Sequence, residues 1–281
     1  MVSGASAEET HPLAGLPPAD RTLLAHPPLE LAVAEVRFDP TPSELSAELG
    51  LNFRQRLGEL GHPFVQLDRA QQGQVMINLP AGGQPVSQIR AVTTGWRLQA
   101  AGGHCQVTLL PGMAAVQTST YERWSVSLRP LLEAVLAVAD ELLAPALVGR
   151  IGLRYINRFA DPSAGSPTAW RGKLRDELLG PICHPDFGDR LSAAQQQVEL
   201  KLGDAQGATM RHGPIVDPAA DGSISYLLDI DVYDVEPSGF DPAGLVIRAE
   251  CLNRTSASLF QAALTAEYFQ SLLPASQEDP S

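Results

Sequence analysis

The sequence predicts an α+β fold of two β-α-β(3-5)-α halves, arranged as an internal duplication, in one antiparallel sheet with one face covered by long helices. Three observations predict it. Residues 64–120 and 196–234 are dominated by alternating runs of period two. Two long stretches, Tyr121 to Leu143 and Pro242 to Leu272, place apolar residues at helical spacing instead. The order strand, helix, several strands, long helix occurs twice, and Val36-Arg-Phe-Asp-Pro40 is echoed by Arg158-Phe-Ala-Asp-Pro162.

In chain order, residues 1–25 are rich in Ala, Pro, Gly and acid without any period and read as a disordered tail. Leu29 to Phe38 has strand character and is broken by Asp39-Pro-Thr-Pro42. Ser43 then suits the N-cap of a helix with Leu45, Leu49, Phe53, Leu57 and Leu60 on one face. Expected strands follow at Phe64–Asp68, Gln74–Leu79, Trp96–Ala101, Cys105–Leu110 and Ala114–Thr120, with Gly82-Gly-Gln-Pro85 as a longer loop. The helix after them presents Leu128, Leu131, Val135, Val138 and Leu142, and Pro130 either kinks it or sits in its first turn. A strand from Val148 to Phe159, a loop and a short helix over Thr168–Leu179 come next. Strands at Gln196–Leu202, Ala208–His212 and Ile224–Asp234 lead to a last helix with Asp241 as N-cap and Pro242 at N1. The organisation expected is a single domain over 26–273, with pseudo-repeats 26–147 and 148–273, and a tail over 274–281.

Composition excludes several classes. With 44% hydrophobic and 19% charged residues the chain has the mixture of a globular protein, not a disordered one. A net charge of -12 repels phosphate backbones at long range, so nucleic-acid binding is disfavoured. Cys105, Cys183 and Cys251 are odd in number and far apart, which fits a reducing cytoplasm and no disulfide framework. Neither a secretory leader nor an apolar run of membrane-spanning length is expected. Phosphate-loop, dinucleotide, zinc-protease and serine-hydrolase motifs are all missing, and neither a cofactor nor a metal is expected.

Candidate functional residues concentrate in Arg150-Ile-Gly-Leu-Arg-Tyr-Ile-Asn-Arg158. On a strand, Arg150, Gly152, Arg154, Ile156 and Arg158 share one face, with about 13 Å between successive arginines. Ile151, Leu153, Tyr155, Asn157 and Phe159 share the other. Two readings stand for the arginine row. It binds an anionic group, since guanidinium takes carboxylate or phosphate in two-point contact; or it pairs with Asp229 and Asp231, which share a face of a later strand. Cys183-His184-Pro-Asp186 collects nucleophile- and ligand-competent side chains in one loop, which His212 and Asp217 would have to join through the fold to make a catalytic group. Trp96, Tyr121 and Trp124 read as core or sheet-rim aromatics, or as ligand-stacking rings.

Three segments, Pro27-Pro-Leu-Glu-Leu-Ala-Val-Ala-Glu-Val-Arg-Phe38, Tyr121-Glu-Arg-Trp124 and Arg150 to Arg158, together with Leu259-Phe260 and Thr265 of the terminal helix, resemble a sporadically distributed family of uncharacterised bacterial proteins carrying the phrase RIGLRYINR. The resemblance covers about His26 to Leu272 and implies a single cytoplasmic domain. It brings no activity with it. In the last helix the family pattern has a histidine where this chain has Asn253, which weighs against a catalytic histidine there. The function expected is a non-catalytic binding or interaction module. It would hold an anionic group of a protein partner or small ligand around Arg150, Arg154, Tyr155, Asn157 and Arg158. An enzyme built on Cys183, His184, Asp186 and His212 is the alternative, and nucleic-acid binding on the open sheet a third.

Overall fold

Alternation decides the architecture, because a strand with one apolar side must bury that side and leave the other in water. In the computed structural model, residues 11–39, 44–78, 86–216 and 223–274 are described, with the backbone alone for 72–78 and 86–93. The elements are β1 (Leu29–Asp39), α1 (Ala47–Glu59), β2 (Gln66–Asn78), β3 (Val86–Gln99), β4 (Cys105–Leu110), β5 (Met113–Thr118), α2 (Arg129–Leu143) and β6 (Leu147–Phe159). They continue as α3 (Asp176–Leu179), β7 (Gln196–Lys201), β8 (Gln206–Val216), β9 (Ile224–Asp234), β10 (Ser238–Gly239), α4 (Pro242–Ala263) and α5 (Ala266–Leu272).

All pairings between these strands are antiparallel, in one sheet of order β2-β3-β4-β5-β1-β6-β9-β8-β7, with β10 alongside the start of β6. The α+β class and the antiparallel sheet are therefore as expected. Strands β1 and β6 pair with each other at the centre of the sheet, with β5 on the other side of β1 and β9 on the other side of β6. Ala32, Ala34, Val36 and Phe38 of β1, Ile151 and Leu153 of β6, and Leu228, Ile230 and Val232 of β9 are buried in one core with Phe53 and Leu57 of α1, Leu131, Leu132, Val135, Leu136 and Ala139 of α2, and Leu245, Ala249 and Leu252 of α4. Helices α1, α2 and α4 thus lie on one face of the sheet.

Several expectations need correction. Ser46 is the N-cap of α1, its hydroxyl accepting from Leu49 N at 3.1 Å; Ser43 lies outside the described residues, as do Pro40 to Pro42, Leu79, the 82–85 loop and Asp217. Strand β3 begins at Val86 rather than near Trp96, since pairing with β2 holds a stretch whose apolar residues, Val86, Ile89, Ala91 and Val92, keep no regular period. Pro130 sits in the first turn of α2, and a π-helical turn at Trp124–Leu128 precedes it. Instead of one helix, residues 168–179 form a 3-10 turn (Pro167–Trp170) and the single turn of α3, with Gly172 at φ 74° between them. The last helix breaks at Leu264, where Thr265 N donates to Lys173 O at 2.9 Å and the Thr265 hydroxyl caps α5 by accepting from Tyr268 N at 3.2 Å.

The described part of the composition-assigned tail, residues 11–25, runs along α4. Leu13 N donates to Thr255 Oγ1 at 2.9 Å, Ser258 Oγ to Pro17 O at 2.7 Å, and Gln261 clasps Asp20 through both its amide atoms. Residues 1–10 and 275–281 lie outside the described residues. Among the described residues no helix is long and apolar enough to cross a membrane.

Two predictions follow from this packing. A Cβ on Gly50 would stand 2.8–3.0 Å from the buried Trp96 indole, which is pinned by its own N–H to Ser46 O at 2.9 Å. Gly50→Ala, ordinarily favourable in a helix, therefore destabilises by about 1–3 kcal/mol through overpacking, read from denaturant unfolding. In the irregular segment Lys173 pairs with Asp161, and that contact together with Ser163 holds the Asp161 carboxyl down to about 2. A depressed carboxyl stabilises fully above its ordinary 3.8 and loses that contribution as pH falls through about 2. The melting difference between the wild type and Lys173→Met should accordingly shrink over that window.

Candidate functional site

The two faces of β6 carry different chemistry. On the open face Arg150 Nη1 donates to Glu35 of β1 at 3.0 Å, while its Nη2 meets both Asp231 carboxylate oxygens at 3.1–3.2 Å. It reaches both neighbours because it lies back over Gly152, where a Cβ would sit 2.6–2.9 Å from the guanidinium. Arg154 holds Asp229 of β9 in a two-point contact, both bonds 2.7 Å, with Arg211 a further 3.7 Å neighbour. Arg158 pairs with Glu30. Each arginine of the row thus has a carboxylate on an adjacent strand. Asp229 is 3% exposed and so depends on those cations. Burial pushes the Asp231 carboxyl up, against the pull of Arg150 and Arg154.

Tyr155 and Asn157 are not part of that face. The alternation of β6 turns them to the helix side, where they are 7% and 4% exposed. There they line a cavity of about 760 Å³ between the end of β6, one stripe of α4, the turn before α2 and the segment Asp20–Leu29. The α4 stripe is Asn253, Ser256, Ala257, Phe260 and Gln261, at steps of three and four residues. Tyr121 to Trp124 supply the opposite wall, and Leu23, Leu24, Pro27 and Pro28 a third.

The floor of the cavity is polar, and Arg21 in its lining acts electrostatically on both floor phenols, Tyr121 and Tyr155. Tyr155 Oη donates to Asn253 Oδ1 at 3.0 Å, and the Tyr121 ring meets Tyr155 edge-on with centroids 5.7 Å apart. Asn157 Nδ2 donates to Leu228 O at 3.1 Å. Burial, and then Tyr121, hold the Tyr155 phenol far above its ordinary 10, so it stays protonated and donates. Burial also raises Tyr121. Two side-chain atoms of lining residues, Asn253 Nδ2 and Trp124 Nε1, lack a hydrogen-bond partner, but both are sealed inside the packing rather than open to the cavity, as are Arg97 Nε and His212 Nε2 elsewhere. Turning the Asn253 amide over would change which of its atoms is left over, not that one is. The indole N–H has no such freedom.

In the Cys/His loop the candidate side chains turn to separate partners. Cys183 Sγ lies 3.5 Å from Asp176 Oδ1, and burial followed by that carboxylate pushes its thiol up, away from a reactive thiolate. His184 stacks on Phe187 at 3.8 Å and accepts from the backbone N of Asp186 at 3.2 Å rather than meeting its carboxylate. His212 is fully buried on β8, its Nδ1 2.9 Å from the Tyr226 hydroxyl, and burial lowers its pKa. No hydrogen bond among the described residues joins His212 to the loop. Among the described residues, no group of three or more His, Cys, Asp or Glu side chains is placed to hold a metal ion.

Sequence reading put Tyr155 and Asn157 on the strand face opposite the arginines yet grouped them with the arginines as one binding site, and it did not nominate Asn253, Ser256 or Gln261. The available signal was the polar stripe on an otherwise apolar helix, and the two polar residues on the packed side of β6. No family model and no curated protein matches the chain.

The ion-pair lattice generates one prediction. Arg154→Met leaves the buried Asp229 with only Arg211, so stability falls by about 2–3 kcal/mol, below the full cost of breaking a buried pair because the Arg154 side chain is 44% exposed. Arg154→Met combined with Asp229→Leu recovers part of that loss in the same denaturant measurement, because the stranded charge is gone.

Proposed function

We propose that this chain is a non-catalytic binding protein whose small ligand sits in the cavity behind β6. One observation carries the reading: a cavity of about 760 Å³ behind β6 combines apolar walls from Leu23, Leu24, Pro27 and Phe260 with a few polar lining residues, Tyr155, Asn157, Asn253 and Arg21. The volume falls in the range of small-molecule sites, which combine apolar walls with a few placed polar groups. A ligand on the arginine face would instead have to displace carboxylates already in two-point contact, so the row serves here as the rigid back wall of the site. The three cysteines are all free, which supports a cytoplasmic setting.

The test is a thermal-shift screen of small amphipathic compounds against the full chain. Ligands that bind the folded state raise the melting temperature with concentration, by about 2.7 kcal/mol of stability at one hundred times Kd. The shift should vanish in Ala257→Trp, which fills the cavity, and persist in Arg154→Met at a lower baseline. Shifts that survive Ala257→Trp and disappear in Arg154→Met would return the site to the arginine face.

A further inference from the structure

We propose that the cavity takes an amphipathic monoanion, whose carboxylate head meets the Arg21 guanidinium at the rim while an apolar tail runs inward between Leu24, Pro27, Phe260 and Phe269. The proposal rests on the cavity reading above and names the charge and polarity of the occupant.

Unspent positive charge at the mouth is the first argument. Arg21 lines the cavity and is exposed. The carboxylates around it are engaged elsewhere. Asp20 Oδ1 accepts from Thr22 N at 2.8 Å, Glu122 contacts Arg123 at 3.5 Å, and Glu250 contacts Arg254 at 3.3 Å. Among the described residues the Arg21 side chain makes no ion pair or hydrogen bond. Burial keeps the Tyr121 and Tyr155 phenols protonated, so neither adds negative charge, and the Arg21 charge reaches both of them more strongly than that of Glu250. On a chain of net charge -12 this corner of the surface is a local exception. One guanidinium balances one negative charge and takes a carboxylate in two-point contact, which selects a monoanion over an ammonium or a neutral head.

The change of polarity with depth is the second. A carboxylate taken fully out of water pays a large desolvation cost, whereas one held at the exposed Arg21 keeps part of its hydration. Deeper in, the floor offers no cation, and its hydrogen-bonding groups are already occupied. Tyr155 Oη donates to Asn253 Oδ1 at 3.0 Å, and Asn157 Nδ2 donates to Leu228 O at 3.1 Å. An apolar tail lying over these groups therefore leaves them with the partners they have. The place of the cation is fixed as well. Gln261 holds Asp20 through its backbone N–H at 2.9 Å and its carbonyl at 2.7 Å, which ties the residue before Arg21 to the helix that lines the cavity.

The probes are two matched sets, hexanoate with hexanamide and hexylammonium, and benzoate with benzamide and benzylammonium. They are titrated into the full chain near neutral pH and followed by ligand-observed NMR. Each acid is expected to bind roughly fivefold more tightly than its amide, the size of one exposed ion pair, and each ammonium most weakly. Arg21→Gln removes the charge from an exposed side chain that pairs with nothing, so its melting temperature should not fall. It should bring each acid to within roughly twofold of its amide and leave the amides unchanged. Ala257→Trp should abolish binding of every probe, and Leu24→Trp repeats the block from the opposite wall should the first variant not fold. An amide or ammonium that binds as tightly as its acid, or a preference for acids that survives Arg21→Gln, overturns the anionic head while cavity binding stands. No binding by any probe, or binding untouched by the blocking variants, overturns the cavity reading and the head together.

Discussion

A strand at the centre of a sheet covered on one side has to present two chemistries at a spacing of one residue. In β6 the outward residues Arg150, Arg154 and Arg158 meet Glu35, Asp231, Asp229 and Glu30 on the strands to either side. The inward residues Ile151, Leu153 and Phe159 enter the core. A slip of one residue against β1 or β9 would bury three guanidiniums and expose that apolar set, so the register is fixed from both sides at once. The lattice contributes less through each exposed ion pair than through Asp229, whose burial makes its cations necessary.

Much of this was legible in the residues. Period two located most of the strands, the apolar stripes located α1, α2 and α4, and Asp241-Pro242 located the start of the last helix, where Asp241 Oδ1 accepts from Ala243 N at 3.2 Å. Legibility failed where the deciding contact is distant. Thr265 stops α4 by bonding to Lys173, more than ninety positions earlier. Residues 11–25 are ordered through Thr255, Ser258 and Gln261, which no composition of the segment itself reveals. The start of β3 depends on its pairing with β2, not on its own pattern. A weak local signal yields to tertiary contact in each case.

The candidate site was half legible for a related reason. Guanidiniums at steps of four on an acidic chain attract notice because they are charged, yet charge on an open sheet face is the kind that neighbouring strands can neutralise. Tyr155 and Asn157 were marked as polar residues on the apolar side of β6, and that placement was the stronger clue. A polar group on a packed face costs stability unless something answers it. For Asn157 the answer is the Leu228 carbonyl; for Tyr155 it is Asn253, which then has an atom to spare.

Leaving Trp124 Nε1 and an Asn253 amide atom unanswered costs about 1–3 kcal/mol each, a sizeable part of the 5–15 kcal/mol that holds a typical domain folded. Apolar replacements of the same shape would remove that cost, so selection for stability alone gives no reason to keep them. The scaffold can bear it: α4 is locked to β6 and β9 through the core, and β6 is clamped to β1 and β9 through the arginines on its far side. The charged face therefore clamps, from the far side, the strand that carries Tyr155 and Asn157.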